Sequence, residues 1–169
     1  MEPTANVKKA ERPRFWVAFL FRDLAAGETF KPDVLHLTVI PWFVTEVTQE
    51  QVIKAFVNKF TRLKQFEITI GETGEFKSRR RISVNFVAPS PRITDIHARA
   101  LDWLAELQGR WAVKTPHVGD DYIPHIRRRK GHNFSEFEKV RLTGLSLVSA
   151  FRRGDDQRTV IARVGFDEK

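Results

Sequence analysis

Two tripeptides far apart in the chain carry the residues best suited to chemistry: His36-Leu37-Thr38 and His125-Ile126-Arg127. In an extended strand, residues i and i+2 share a face. Each tripeptide therefore presents an imidazole beside a hydrogen-bond donor, a hydroxyl in the first and a guanidinium in the second. Imidazole titrates near physiological pH, so one ring of a facing pair can start neutral and take a proton while the other starts charged and gives one. Two such walls can hold and cleave a phosphodiester. One side deprotonates the attacking water and the other protonates the leaving oxygen, roughly in line through phosphorus.

The elements that must position these residues are legible in the hydrophobic pattern. Phe15 to Phe21 is a short, nearly continuous apolar run rich in aromatics, which predicts a central strand buried on both faces. A polar loop with Gly27 and Pro32 follows, and a second strand from Val34 to Trp42 carries the first tripeptide. Thr48-Gln49-Glu50-Gln51 fits a capping box, and the apolar residues Val52, Ile53, Phe56, Val57, Phe60 and Leu63 recur at helical spacing. Phe66 to Ile70 and Ile82 to Phe86 alternate as paired strands, with Gly71, Gly74 and the basic run Arg79-Arg80-Arg81 between them. Ser90-Pro91 opens a second helix whose apolar side runs from Ile93 to Trp111, with Gly109 near its end and His97 at its surface. The second histidine strand then spans Tyr122 to Arg129. Val140 to Phe151 and Thr159 to Val164 read as a terminal hairpin turning at 152–156.

This order of strands and helices predicts an α+β fold with mostly antiparallel pairing. Residues 1–14 read as a flexible polar tail and 15–169 as a single domain. The first residues lack the apolar core of a signal peptide, and no stretch approaches a membrane span.

Composition narrows the partners. The formal charge of +8 favours polyanions, chiefly nucleic acid, over acidic proteins or membranes, and nothing points to an obligatory protein partner. The chain has no cysteine, which excludes disulfides, thiolate metal sites and thiol nucleophiles and fits a cytoplasmic setting. A metal site drawn from His117, Asp120, Asp121, His125 and His132 is disfavoured, because no pair has the spacing of a helical zinc motif. The run Arg127-Arg128-Arg129-Lys130 continues directly from His125, so strand alternation puts Arg127 and Arg129 on the histidine's face and turns Arg128 away. Trp42, Phe43, Tyr122 and Phe134 lie close in sequence to the tripeptides. They can stack on a terminal base or pack in the core.

The aromatic strand Phe15 to Phe21, His36-Leu37-Thr38-Val39 on the next strand, the capped helix, and Tyr122-Ile123-Pro124-His125-Ile126 on a late strand together carry a resemblance. From Phe15 onward the chain resembles the two-histidine (2H) phosphoesterase superfamily, in the branch of bacterial RNA 2′,3′-cyclic phosphodiesterases also called 2′-5′ RNA ligases. The resemblance implies a two-lobed domain whose sheets line a central groove with helices packed outside. It implies His36 and His125 as catalytic residues acting without metal or cofactor on RNA or a nucleotide ending in a cyclic phosphate. His125 would activate water and His36 would protonate the leaving ribose oxygen, yielding a 2′-phosphate; the reverse reaction would join ends through a 2′-5′ bond.

The family expects threonine or serine two residues after each histidine, and Arg127 departs from that pattern. Thr38, Arg127, Arg129, Tyr122 and Trp42 are the candidate substrate-binding residues. Two other readings stay open at this point: a non-catalytic module that binds RNA ends through Arg127, and an enzyme acting on a small cyclic nucleotide or ADP-ribose phosphate.

Overall fold

The computed structural model describes residues 12–77, 80–151 and 157–168. Its strands in chain order are β1 (Arg14–Leu20), β2 (Thr29–Phe30), β3 (His36–Val44), β4 (Phe66–Phe76), β5 (Ile82–Val87), β6 (Arg110–Trp111), β7 (His125–Arg127), β8 (Lys139–Leu142), β9 (Gly144–Ala150) and β10 (Arg158–Gly165). Helix α1 (Gln49–Phe60) follows β3, and α2 (Pro91–Glu106) follows β5. The strands form a 10-stranded sheet in the order β2-β10-β9-β1-β3-β7-β5-β4-β8, with β6 added beside β3. Every pairing between these strands is antiparallel. The fold is α+β.

The strand expected to be buried on both faces is so because each face has its own cover. Phe15, Val17 and Phe19 of β1 join the core shared with the helices, while Trp16 and Ala18 pack into a smaller cluster on the opposite face with Phe30, Val148 and Val160. Val52, Phe56 and Phe60 of α1 and Ile93, Ala100 and Trp103 of α2 complete the larger core. Trp103 is wedged among Phe43, Phe56 and Phe60 at centroid separations of 5.5, 5.8 and 6.0 Å. Each such aromatic pair adds on the order of 1 kcal/mol to the burial of its rings.

Helix α1 starts at the predicted capping box. Thr48 Oγ1 accepts from Gln51 N at 3.2 Å and Thr48 N donates to Gln51 Oε1 at 2.9 Å. Helix α2 starts at Ser90, with Pro91 in its first turn. It stops sooner than the apolar spacing predicts, because Gln108 turns to φ 51 and Gly109 N bonds Leu104 O at 2.9 Å. Trp111 therefore leaves the helix, pairs with Phe43 in β6 and is exposed.

Other departures from the sequence pattern have steric causes. The strand expected to end at Ile70 runs on to Phe76 through both glycines. The Phe86 ring lies where a Gly74 side chain would be, 2.4 Å from an added Cβ, so glycine lets the strand continue. The apolar run from Val140 is two strands rather than one arm of a hairpin. β8 pairs with β4 at the far edge, and β9 lies between β10 and β1. The chain switches position at Gly144, where a side chain would meet Val164 O at 2.9 Å. The predicted turn at 152–156 and Arg79 lie outside the described residues, as do residues 1–11 of the expected tail.

Candidate active site

The two histidine tripeptides meet at the centre of the sheet. β3 and β7 are hydrogen-bonded neighbours with Leu37 opposite Ile126. These two side chains are buried in the helix-side core. Antiparallel register then sets His36 opposite Arg127 and Thr38 opposite His125, all four on the other face. The histidines occupy one diagonal of this square. Diagonal positions have Cβ atoms about 7–8 Å apart, which leaves room for a phosphoryl group between the rings. Strand β7 is shorter than the Tyr122 to Arg129 span expected from sequence. Its ends are closed by Val87 N bonding Pro124 O and by Arg128 N bonding Ser83 O.

Both imidazoles are held the same way. His36 Nδ1 lies 2.8 Å from Val34 O, and His125 Nδ1 lies 2.8 Å from Ile123 O. A carbonyl only accepts, so Nδ1 carries the proton in each neutral ring and the Nε2 lone pair is left for chemistry. Burial pushes the pKa of His36 down to about 4, aided by the charges of Arg158, Arg129 and His125 and opposed by the bond to Val34. Burial also lowers His125, helped by His117 and opposed by Ile123 O. Both rings thus favour the neutral form until an anion lies between them.

Thr38 is oriented by Trp16. Trp16 Nε1 donates to Thr38 Oγ1 at 3.2 Å, which leaves the threonine O–H to donate elsewhere. The Trp16 ring also meets His36 edge-on, with centroids 4.6 Å apart. Trp42 lies 5.5 Å from Trp16, and the guanidinium of Arg158 rests over both, 5.1 Å from Trp16 and 5.5 Å from Trp42. Arg158 is a residue that sequence reasoning missed. Its only signal is an arginine opening the last apolar run, and it reaches the site because β10 folds back beside β9.

Arg127 is exposed, and Arg129 is half-buried near Arg127, Arg158 and Asp33. Arg128 turns to the opposite face, where it donates to Asn85 Oδ1 at 3.1 Å.

Tyr122 is anchored rather than free. Its hydroxyl donates to Thr38 O at 2.8 Å, its ring stacks on His97 at 3.7 Å, and burial pushes its phenol pKa up. His97 is buried, contrary to its expected surface position. Its Nδ1 bonds Val39 O at 2.8 Å and its Nε2 accepts from Gly119 N at 2.9 Å, so it ties α2 to both β3 and the loop before β7. Phe43 is fully buried and cannot meet a base. Phe134 packs on Phe21 at 4.8 Å, and His132 is exposed.

On the other side, the Phe76 ring meets His125 edge-on at 4.6 Å and stacks with His117 at 4.9 Å. A mostly apolar cavity of about 200 Å³ opens there, lined by Thr38, Pro41, Pro116, His117, Tyr122 and His125 among others. Larger clefts of about 570 and 620 Å³ contain no imidazole. Among the described residues, no three histidine or acidic side chains converge as a metal site would require.

The sequence model of the 2′-5′ RNA ligase superfamily matches residues 11–127, more than half of the chain and both histidine tripeptides. The chain belongs to this superfamily. The superfamily comprises phosphoesterases and ligases acting on RNA and nucleotides. Solved structures place the fold with it. E. coli LigT in apo form aligns at a TM-score of 0.57 and 19% identity, covering 93% of this chain and 99% of LigT. TT0787 of Thermus thermophilus aligns at 0.60 and 20%, covering 90% of this chain and 97% of TT0787. LigT complexed with 3′-AMP aligns at 0.58 and 18%, covering 92% and 99%. Among curated proteins, none matches this chain significantly. No helix among the described residues of this superfamily member is long and apolar enough to cross a membrane.

Proposed function

We propose that the protein opens 2′,3′-cyclic phosphates at the ends of RNA or nucleotides, with His36 and His125 as the general acid–base pair. The observation that carries this reading is the diagonal placement of two imidazoles on one sheet face, each with Nδ1 tied to a carbonyl and Nε2 left free. The Nε2 of one ring takes a proton from water as the water oxygen bonds to phosphorus. The bond from phosphorus to one ribose oxygen breaks, and the other ring's Nε2 proton goes to that oxygen. With His125 as base and His36 as acid, the 3′-oxygen leaves and the product is a 2′-phosphate; a ribose 5′-hydroxyl attacking in place of water would instead join ends through a 2′-5′ linkage. The pKa of His36 fits this order once a phosphate anion lies beside it, because the anion favours the protonated ring.

The Thr38 hydroxyl and the Arg127 guanidinium would donate to the non-bridging oxygens as charge builds there. Arg127 faces His36 across the strand pair, so it takes over a donor position that a hydroxyl would otherwise fill. Trp42 and Tyr122 shape the walls, and Arg129 adds positive charge. Solved complexes of LigT with phosphate and with 3′-AMP support ligands of this class.

The test is turnover of a short RNA ending in 2′,3′-cyclic phosphate, in chelator, by the intact chain and by His36→Ala and His125→Ala. Each alanine variant is expected to lose about a hundredfold or more in kcat. Absence of turnover by the intact chain overturns the reading in favour of end binding without chemistry, for which Arg127 supplies the phosphate contact. Full activity in either variant overturns the two-histidine mechanism.

A further inference from the structure

The two sides of the groove differ in chemistry, and the difference orients a substrate. Beyond His125 lies the apolar cavity between Pro41, Pro116 and Tyr122. Around His36 lie Arg127, Arg129 and Arg158. Arg127 is opposite His36 in register, and Arg158 is held over Trp16, whose ring touches His36. Arg129 Nε is buried with no hydrogen-bond acceptor among the described residues. None of the three arginines has a carboxylate within ion-pair distance among the described residues, and Asp33 alone opposes the charge of Arg129. Arg129 and Arg158 are partly removed from water beside the exposed Arg127 without a matching acid, an arrangement that is costly unless an anion joins it. Of the three, Arg127 already serves the reacting phosphate in the proposed mechanism, and a single phosphoryl group between the histidines does not occupy all three.

We infer that Arg129 and Arg158 form a second phosphate subsite on the His36 side, so that the preferred substrate is a cyclic phosphate whose nucleotide also carries a 5′-phosphate. This deepens the proposed function and rests on it for the position of the first phosphate. The cyclic phosphate lies between the histidines, the ring of the terminal nucleotide points to the cavity beyond His125, and the 5′-phosphate reaches the arginines. A polynucleotide end supplies that second phosphate through its last phosphodiester, whereas a free nucleoside 2′,3′-cyclic phosphate has none. Planar guanidinium forks bind phosphate oxygens in pairs, and the two tryptophans hold Arg158 in place before a ligand arrives.

The experiment compares two substrates differing by one group, a nucleoside 2′,3′-cyclic phosphate and its 5′-phosphorylated counterpart. Calorimetric binding of the nucleoside 2′-monophosphate and the 2′,5′-bisphosphate runs beside it. The 5′-phosphate is expected to raise kcat/KM and affinity by about tenfold or more. Arg129→Gln, Arg158→Gln and Arg158→Lys should each shrink that ratio, and Arg158→Lys should retain part of it because it keeps the charge. Arg129→Gln leaves Arg158 over the two tryptophans, so this variant reports on the subsite even if replacing Arg158 disturbs that packing. Equal kcat/KM and equal affinity with and without the 5′-phosphate overturn the subsite, as does a ratio that all three variants leave unchanged. If the intact chain cleaves neither cyclic phosphate yet binds the bisphosphate with an arginine-dependent advantage, the proposed hydrolysis fails and the subsite stands.

Discussion

Replacing His36 with glutamine isolates the titration of one ring in the groove. Burial, with the charges of Arg158, Arg129 and His125, holds the pKa of His36 at about 4 against an ordinary 6.5. The folded pKa lies below the unfolded one, so the unfolded chain binds the proton first as pH falls. The stability linked to the neutral ring is fully present above about pH 6.5 and is lost as pH falls toward about 4. At about 1.4 kcal/mol per tenfold difference in proton affinity, the loss from pH 7 to pH 4 comes to about 3 kcal/mol. His125 and His97 are lowered in the same direction, but both remain in His36→Gln and cancel in the comparison. The assay is urea unfolding followed by fluorescence of the chain's 4 tryptophans at several pH values between 7 and 4. Any fixed cost of losing the Val34 bond shifts the variant's curve equally at every pH. The wild-type chain should lose about 3 kcal/mol more than the variant over this interval. Parallel losses would refute the claim that burial holds this ring neutral.

Other consequences follow from the same contacts. Because kcat/KM reports the free enzyme's titrations and both imidazoles are lowered, its optimum for a cyclic phosphate should lie below pH 6.5; an optimum above pH 7 would contradict the directions of both shifts. Tyr122→Phe removes the donor to Thr38 O and should cost about 1 kcal/mol in urea unfolding, while its ring still stacks on His97. Gly144→Ala forces a methyl against Val164 O and should cost about 1–3 kcal/mol, visible as a lower melting temperature; an unchanged melting temperature would show that β9 and β10 separate there with little strain.

Much of the fold was legible because it follows from local rules. Thr48 and Gln51 cap α1 through their own side chains, and the aromatic run of β1 needs cover on both faces whatever strands provide it. The errors fell where a distant part of the chain decided the outcome. Gly71 and Gly74 read as turn residues, yet Phe86 packs against the strand at Gly74 and β4 runs on. The apolar run from Val140 divides because β8 pairs with β4 at one edge of the sheet while β9 lies inside it between β1 and β10. His97 read as a surface residue because helical periodicity cannot foresee carbonyl and amide partners delivered by β3 and the loop at Gly119.

For the candidate site, the sequence by itself determined which groups are available: two imidazoles, one hydroxyl at Thr38 and one guanidinium at Arg127, each aimed with its histidine by strand alternation. Tertiary structure alone decided how these groups face one another and how readily they ionise. The Leu37–Ile126 register set Arg127 across from His36 instead of beside a partner threonine, and the fold-back of β10 brought Arg158 onto Trp16 and Trp42. Strand periodicity is a property of neighbouring residues. Proton affinity depends on burial and on charges that folding gathers from distant segments, so the low pKa of His36 and the cationic side of the groove exist only in the assembled sheet.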